Sequence, residues 1–274
     1  MREPVMSSRK IFRRFSSSIS GALHLITIQK RNDACENEIG TALHGAVQMS
    51  NAVMTKNLLD NKSVWIDEED GKGRTALHYS MEQNSFEVVK ILVTAGANLD
   101  CVDIYGTTAS HLACKEGRID VFELLLQNGA DAFCVDKTGK TPFDLACEYG
   151  KQKMVEYMLK NIENISLLQI AGDAHKISAL HLAARNGHTH IVCLLLENGW
   201  NINRTTVNGT ALHEAAGYGR AQVVRFLLHS IKRNFRLDWN KSVINECVRS
   251  YGIGIREEEC ASESDHYQRN TFFN

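Results

Sequence analysis

Residues 136–150 read Asp136-Lys137-Thr138-Gly139-Lys140-Thr141-Pro142-Phe143-Asp144-Leu145-Ala146-Cys147-Glu148-Tyr149-Gly150. Thr141 suits a helix N-cap, where its hydroxyl accepts a hydrogen bond from a free backbone N–H, and Pro142 at the next position gives up no helical bond. The stretch predicts a turn followed by a short helix that closes at Gly150. It is one of six. Working outward, Thr41-Ala42-Leu43-His44, Thr75-Ala76-Leu77-His78, Thr108-Ala109-Ser110-His111, Ser178-Ala179-Leu180-His181 and Thr210-Ala211-Leu212-His213 take the place of Thr141-Pro142-Phe143-Asp144, at successive intervals of 34, 33, 33, 37 and 32 residues. Six copies at this spacing mark a chain built from one repeated unit.

Each copy carries the same punctuation. Gly73, Gly106 and Gly139 stand two residues before the threonine, and Gly117, Gly150, Gly187 and Gly219 nine residues after it or its serine equivalent. An apolar stripe at helical spacing follows: Val88, Val89, Ile91, Leu92; Val121, Phe122, Leu124, Leu125; Met154, Val155, Met158, Leu159; Ile191, Val192, Leu194, Leu195; Val223, Val224, Phe226, Leu227. Gly96, Gly129 and Gly199 then offer the left-handed residue that ends a second helix. The unit is turn, short helix, tight turn, longer helix and extended return. Alanines such as Ala183 and Ala184 let neighbouring short helices approach closely. One unit buries too little to fold alone, so stacking must supply the core.

The pattern resembles the ankyrin repeat, whose signature is nearly literal in Gly139 to Ala146. The resemblance covers residues 36–232 and implies an all-α repeat solenoid of about six helix-turn-helix units with short β-turn tips. In the second half it narrows: residues 136–150, Ala179 to His188, and Asn201 to Ala216 look like the ankyrin region of the Caskin scaffold family, which also lengthens a repeat where Glu163 to Asp173 makes the fourth interval long. Related ankyrin and sterile-alpha-motif adaptors share much of this. Caskin-like proteins continue into Src-homology-3 and sterile-alpha-motif domains; this chain reaches Asn274 without them and is expected to recruit nothing through them. The first copy carries Ile39 and Ser50 where glycine is usual, as expected of a terminal capping repeat.

Composition bounds the function. With 43% hydrophobic and 23% charged residues and a net charge of -1, the chain reads as an ordinary soluble protein. No apolar run approaches the roughly 18 to 20 residues of a membrane span. A body whose main partner is nucleic acid would need a basic face, so none is expected. The eight cysteines form no C-x-x-C pair, and no signal peptide precedes them, which predicts a reducing, cytoplasmic setting. The intervals Cys101 to Cys134 and Cys114 to Cys147 are both 33 residues, placing them at equivalent points of the repeat.

The ends differ from the repeats. Residues 1–35 form a basic, serine-rich arm; the first 31 hold seven basic residues against one acid, a net +6. Arg13-Arg14-Phe15-Ser16 offers Ser16 as a basophilic kinase site, and the arm also has features of a mitochondrial targeting peptide or of a segment that touches anionic lipid or nucleic acid. A solvated tail is the simpler reading. Residues 233–255 read as a degenerate capping half-repeat and 256–274, with Glu257, Glu258, Glu259, Glu263 and Asp265, as an acidic disordered tail.

No catalytic or metal constellation stands out. His44, His78, His111, His181 and His213 recur in register, yet equivalent positions of stacked repeats lie about 10 Å apart by the spacing of packed helices, whereas zinc ligands must all sit about 2 Å from one ion. Each imidazole is expected to hydrogen-bond the turn of its own and the neighbouring repeat. Cys114 and Cys147 follow Leu-Ala in the short helix and read as packed. There is no phosphate loop, zincin motif or nucleophile elbow. No cofactor and no enzymatic activity are expected.

What repetition makes instead is a concave face of turn tips and short-helix surfaces. It should carry Tyr105, Thr107, Lys115 and Glu116 from the third repeat, Lys137, Thr138, Lys140, Glu148 and Tyr149 from the fourth, Arg185 and Asn186 from the fifth, and Tyr218 from the sixth. Tyr149 and Tyr218 are the expected anchors, since aromatic side chains bury large areas with few rotors to freeze. Trp200 is expected to pack. The reading is a monomeric, non-enzymatic adaptor or scaffold binding a protein partner; variants of it are a truncated competitor of a longer scaffold, and a regulatory subunit or inhibitor whose charged terminal segment blocks a target docked on the repeats.

Overall fold

The computed structural model describes residues 40–234 apart from 63, 84, 164 and 166–176. The basic arm with Ser16, most of the insertion at 163–173, nearly all of the half-repeat 233–255 and the acidic tail lie outside the described residues. The chain divides into two compact units, one ending at Ala97 and the other beginning at Asn98.

The first unit holds α1 (Ala42–Gln48), α2 (Ala52–Asp60), α3 (Ala76–Glu82) and α4 (Phe86–Thr94). The second holds α5 (Ala109–Glu116), α6 (Ile119–Gln127), α7 (Pro142–Glu148), α8 (Gln152–Asn161), α9 (Ala179–Asn186), α10 (Thr189–Glu197), the two-residue strands β1 (Thr205–Thr206) and β2 (Gly209–Thr210), α11 (Ala211–Gly217) and α12 (Ala221–Asn234). Short and long helices alternate as the sequence predicts, with one addition: the sixth tip closes as an antiparallel pair, Thr205 opposite Thr210 and Thr206 opposite Gly209.

Like packs on like. In the first unit α1 lies against α3 and α2 against α4; in the second, α5, α7, α9 and α11 form one row and α6, α8, α10 and α12 a second layer. The short helices suit close packing because Ala113, Ala146, Ala183, Ala184, Ala215 and Ala216 turn inward and are buried. Cys114 and Cys147 share that layer, fully buried, with the Cys114 thiol 3.8 Å from Met158 Sδ. In the long helices the stripe resolves into three buried columns, thirteen, fourteen and seventeen residues after each N-cap: Val121, Phe122 and Leu125 in α6, Met154, Val155 and Met158 in α8, Ile191, Val192 and Leu195 in α10. Ile91, Leu124, Leu194 and Phe226, predicted in the same stripe, are only half-buried. Trp200 is 4% exposed and stacks on Phe143 with ring centroids 5.7 Å apart.

The histidines join consecutive repeats. At Thr41, Thr75, Thr108 and Thr210 the backbone N–H donates to Nδ1 of the histidine three residues on, at 3.0 to 3.2 Å, and the hydroxyl lies 2.9 to 3.0 Å from the same nitrogen. Nδ1 must therefore be the unprotonated acceptor, which leaves the proton on Nε2. Nε2 of His44 donates to the Arg74 carbonyl at 2.9 Å, that of His111 to Lys140 at 3.1 Å and that of His181 to Gly209 at 3.3 Å, each in the next repeat. In the fourth copy Asp144 Oδ2 accepts the same two donors of Thr141 at 2.9 Å each. A carboxylate thus reproduces the cap, but being an acceptor it has no proton to pass to a neighbouring carbonyl.

A second joint forms at the tight turns. Gly117, Gly150 and Gly187 have φ of 77°, 70° and 86°, and over each lies the side chain ten residues after the next N-cap: Lys151, His188 and Arg220. His188 Nε2 donates to the Glu148 carbonyl at 3.0 Å and Arg220 Nε to that of Arg185 at 3.0 Å. Ser50, which replaces glycine in the first repeat, still adopts the left-handed conformation at φ 52°.

Leu125→Ala should empty a fully buried site and cost about 2 to 5 kcal/mol, since the surroundings collapse only in part; a chemical-denaturation midpoint unchanged from the parent would refute the assigned register. Gly150→Ala and Gly129→Ala both place a side chain at positive φ, but a Cβ at 150 would lie 2.5 Å from His188 Cε1 while one at 129 meets nothing within 4 Å. The first should therefore lower the thermal midpoint clearly more than the second, and equal losses would argue against the inter-repeat contact.

Burial holds the imidazoles of His44, His111 and His181 below their ordinary value of 6.5. Such groups stabilise the fold fully above 6.5. As pH falls below that value the unfolded chain takes up protons that the folded chain refuses, so stability drops until the lowered folded values are reached. Denaturation midpoints should fall between pH 7.5 and 5.5, and His111→Gln should make that dependence shallower. A flat profile in the parent protein would contradict this protonation scheme.

Candidate functional site

All twelve residues expected on the binding face lie in the second unit, at the tips and at the C-terminal ends of the short helices. Three of the tips are built by an aspartate five residues before the cap. Asp103 Oδ1 accepts the amides of Tyr105 and Thr107 at 2.8 Å each, and Asp136 Oδ1 those of Thr138 and Lys140 at 2.8 and 2.9 Å; in the first unit Asp70 does the same for Lys72 and Arg74. Consecutive tips are tied by the Lys137 N–H, which donates to the Tyr105 carbonyl at 2.9 Å. This leaves the Tyr105 ring 65% exposed and Lys137 exposed beside it.

The helix ends bring together three pairs. Lys140 Nζ bonds both oxygens of Glu148 at 2.9 and 2.7 Å. Lys115 Nζ stands 5.1 Å from the centre of the Tyr149 ring, and Arg185 Cζ 4.3 Å from that of Tyr218. The last two are one device used twice: a cation seven residues after one N-cap lies over a tyrosine eight residues after the next. Both tyrosines remain about half exposed, at 49% and 48%. Both are helix C-caps.

Other expected residues serve the fold first. The Thr138 hydroxyl donates to Asp136 Oδ1 at 2.7 Å, and Asn186 Nδ2 turns back to the Leu182 carbonyl at 3.1 Å. Thr107 is half-buried with its N–H on Asp103, and Glu116 is exposed next to the turn that bears Arg118. Sequence reasoning missed the column ten residues after each cap, Arg118, Lys151, His188 and Arg220, and the aspartates 70, 103 and 136. The aspartates repeat with the 33-residue period and were there to be found; the other column keeps length rather than identity.

Chemistry beyond recognition finds little support. Burial pushes the Cys114 and Cys147 thiols well above their ordinary value, and burial together with Glu197 pushes Cys193 up to about 12, the reverse of what an attacking thiolate needs. Among the described residues no group of three or more His, Cys, Asp or Glu is placed to hold a metal, and no helix is long and apolar enough to cross a membrane. An open cleft of about 200 Å³ runs along Gly150, Gln152, Gly187, His188, Thr189, His190, Ile191 and Gln222. That is below the roughly 300 to 1,000 Å³ of small-molecule sites, which favours recognition across the surface.

Comparison with known proteins agrees with this architecture. The family description "Ankyrin repeats (3 copies)" matches residues 18–103, 95–169 and 162–237. The human transient receptor potential cation channel subfamily A member 1 is 41% identical over 68 residues, 24% of this chain and 6% of that protein. The E3 ubiquitin-protein ligase XBAT33 of Arabidopsis thaliana is 52% identical over 52 residues, 19% of this chain and 10% of that protein. The chain therefore spans a tenth or less of these curated relatives. Among solved structures, the ankyrin repeat domain of Bcl-3, described as a unique member of the IkappaB protein family, superposes with a TM-score of 0.58 at 30% identity, covering 70% of this chain and 86% of that one. The ankyrin repeat domain of human ASB11 gives a TM-score of 0.59 at 24% identity, covering 69% and 83%, and speaks to the fold alone. The chain belongs to the ankyrin-repeat family, and its fold is a solenoid of helix-turn-helix units.

Proposed function

We propose that this protein is a non-enzymatic adaptor that binds a partner protein through the tips and short-helix ends of its second unit, and that it acts in the cytoplasm. The observation that carries the reading is the repeated cation-on-tyrosine pair. Lys115 with Tyr149 and Arg185 with Tyr218 are held in place by the caps and inter-repeat bonds described above, so the surface is formed before a partner arrives. Pre-formed contacts avoid much of the ordering cost of association, and tyrosine and arginine are the residues that concentrate binding energy. The remaining expected residues, Tyr105, Thr107, Glu116, Lys137, Thr138, Lys140, Glu148 and Asn186, would line the path between and beside these anchors. The closer likeness to Caskin-type scaffolds rests on the residues quoted from the fourth to sixth repeats and belongs to the same proposal, as does the monomeric state.

The test is affinity capture from cell extract with the full chain as bait, against the same bait carrying Tyr149→Ala and Tyr218→Ala, both first shown to have the same circular dichroism and thermal midpoint. A protein retained by the parent and reduced at least tenfold on the double variant is the expected result. Identical sets of retained proteins would place binding elsewhere and overturn the reading.

A further inference from the structure

The charges on this face are sorted by sign. Glu148 is held by Lys140. Glu214 is buried and accepts from Asn208 Nδ2 at 3.0 Å. Asp103 and Asp136 are occupied by the amides of their own tips, and Asp144 by Thr141. Glu116 is exposed, near Arg118. The cations are treated differently: among the described residues Lys115, Lys151, Arg185 and Arg220 have no carboxylate within ion-pair distance. Two of them lie on tyrosine rings and a third donates only to a backbone carbonyl. Apart from the exposed Glu116 and the Lys140–Glu148 pair, the carboxylates of this face are occupied, whereas these four cations are not paired with a carboxylate.

We propose, on the basis of the adaptor reading above, that the occupant of this face is an extended acidic segment of a partner protein. The Arg185 guanidinium carbon lies 4.3 Å from the centre of the Tyr218 ring, and a guanidinium held over a ring still has N–H groups to offer a carboxylate. Lys115 over Tyr149 offers the same combination with a point charge. The two pairs are two repeats apart, about 20 Å at the spacing of packed helices. An extended chain rises about 3.3 Å per residue, so carboxylates about six residues apart reach both. Lys151 and Arg220, one on the turn after each tyrosine, extend the same sign of charge beside them. The exposed tyrosine edges accommodate apolar side chains between the acids.

The probes are fluorescein-labelled twelve-residue peptides sharing one Ser/Gly/Leu background, with Glu, Gln or Lys at positions 3, 4, 9 and 10, titrated with the full chain and read by anisotropy. The Glu peptide should bind at least tenfold more tightly than the Gln peptide and be weakened at least tenfold by Lys115→Gln with Arg185→Gln. Lys90→Gln in the first unit should change it less than twofold. Both surface variants are checked for unchanged circular dichroism and thermal midpoint, and Lys115→Glu with Arg185→Glu should exchange the preference to the Lys peptide. Glu and Gln peptides that bind within twofold of each other would overturn the proposal. So would a twelve-residue oligothymidylate that binds more tightly than the Glu peptide, since stacking tyrosines and cations also suit single-stranded nucleic acid. Binding that emerges only after Glu257, Glu258, Glu259, Glu263 and Asp265 are changed to their amides would overturn it in favour of this chain's own acidic segment as occupant. If capture depends on Tyr149 and Tyr218 while the peptides are not distinguished, the adaptor reading stands and only this inference falls.

Discussion

The structure depends on one hydrogen-bonded relay, in which a threonine N–H is received by the imidazole three residues on and the far side of that ring donates to the next repeat. It closes the N-terminus of the short helix and fixes the spacing to the next turn with a single buried side chain. A helix of seven or eight residues cannot stand alone in water, because nucleation costs more than so few bonds return. The cap and the neighbouring helix must both be present, and the relay couples them. This makes the fold a sum of nearest-neighbour contacts, in which losing one imidazole loosens two repeats at once.

The relay also explains why the inner layer is built from alanine and cysteine. Helices tied through their N-terminal turns have little freedom to separate, so side chains between them must be small. Ala113, Cys114, Ala146 and Cys147 fill that place and are fully buried. The thiols there behave as small apolar groups. The second joint, at the tight turns, acts at the opposite end of the same helices. At Gly150 and Gly187 a long side chain from the next repeat lies over the glycine and reaches back to a carbonyl, and a Cβ at 150 would press on the His188 ring.

Much of this was legible in the sequence because it repeats by identity. The Thr-to-His spacing, the glycines at positive φ and the Val121, Phe122, Leu125 stripe fall where the period puts them. The half-burial of Leu124 and Leu194 was not legible, since four apolar residues in a helical window look alike until the neighbouring layer shows which three it covers. The places of Lys151, His188 and Arg220 were not legible for another reason: what they need is reach across a glycine, which several side chains have. The candidate site was legible only as a set of separate residues. Lys115 and Tyr149 are 34 positions apart and Arg185 and Tyr218 are 33 apart, so each pair exists only because stacking brings one repeat against the next.

Those pairs follow from the fold's own constraints. A short helix must end in a polar turn, and stacking sets that turn against the one before it, so a side chain seven residues after one cap can meet the side chain eight residues after the next, as Lys115 meets Tyr149 and Arg185 meets Tyr218. Opposite charges at the two places would neutralise each other, as Lys140 and Glu148 do along a single repeat. A cation opposite a tyrosine is attracted without being neutralised: the contact orders both side chains and leaves the charge for a partner. The same stacking that stabilises the short helices therefore places, at two junctions, a positive charge with no carboxylate partner beside a half-exposed ring. The candidate surface is in this sense the outer end of the packing: the cations over Tyr149 and Tyr218 come from the preceding repeat.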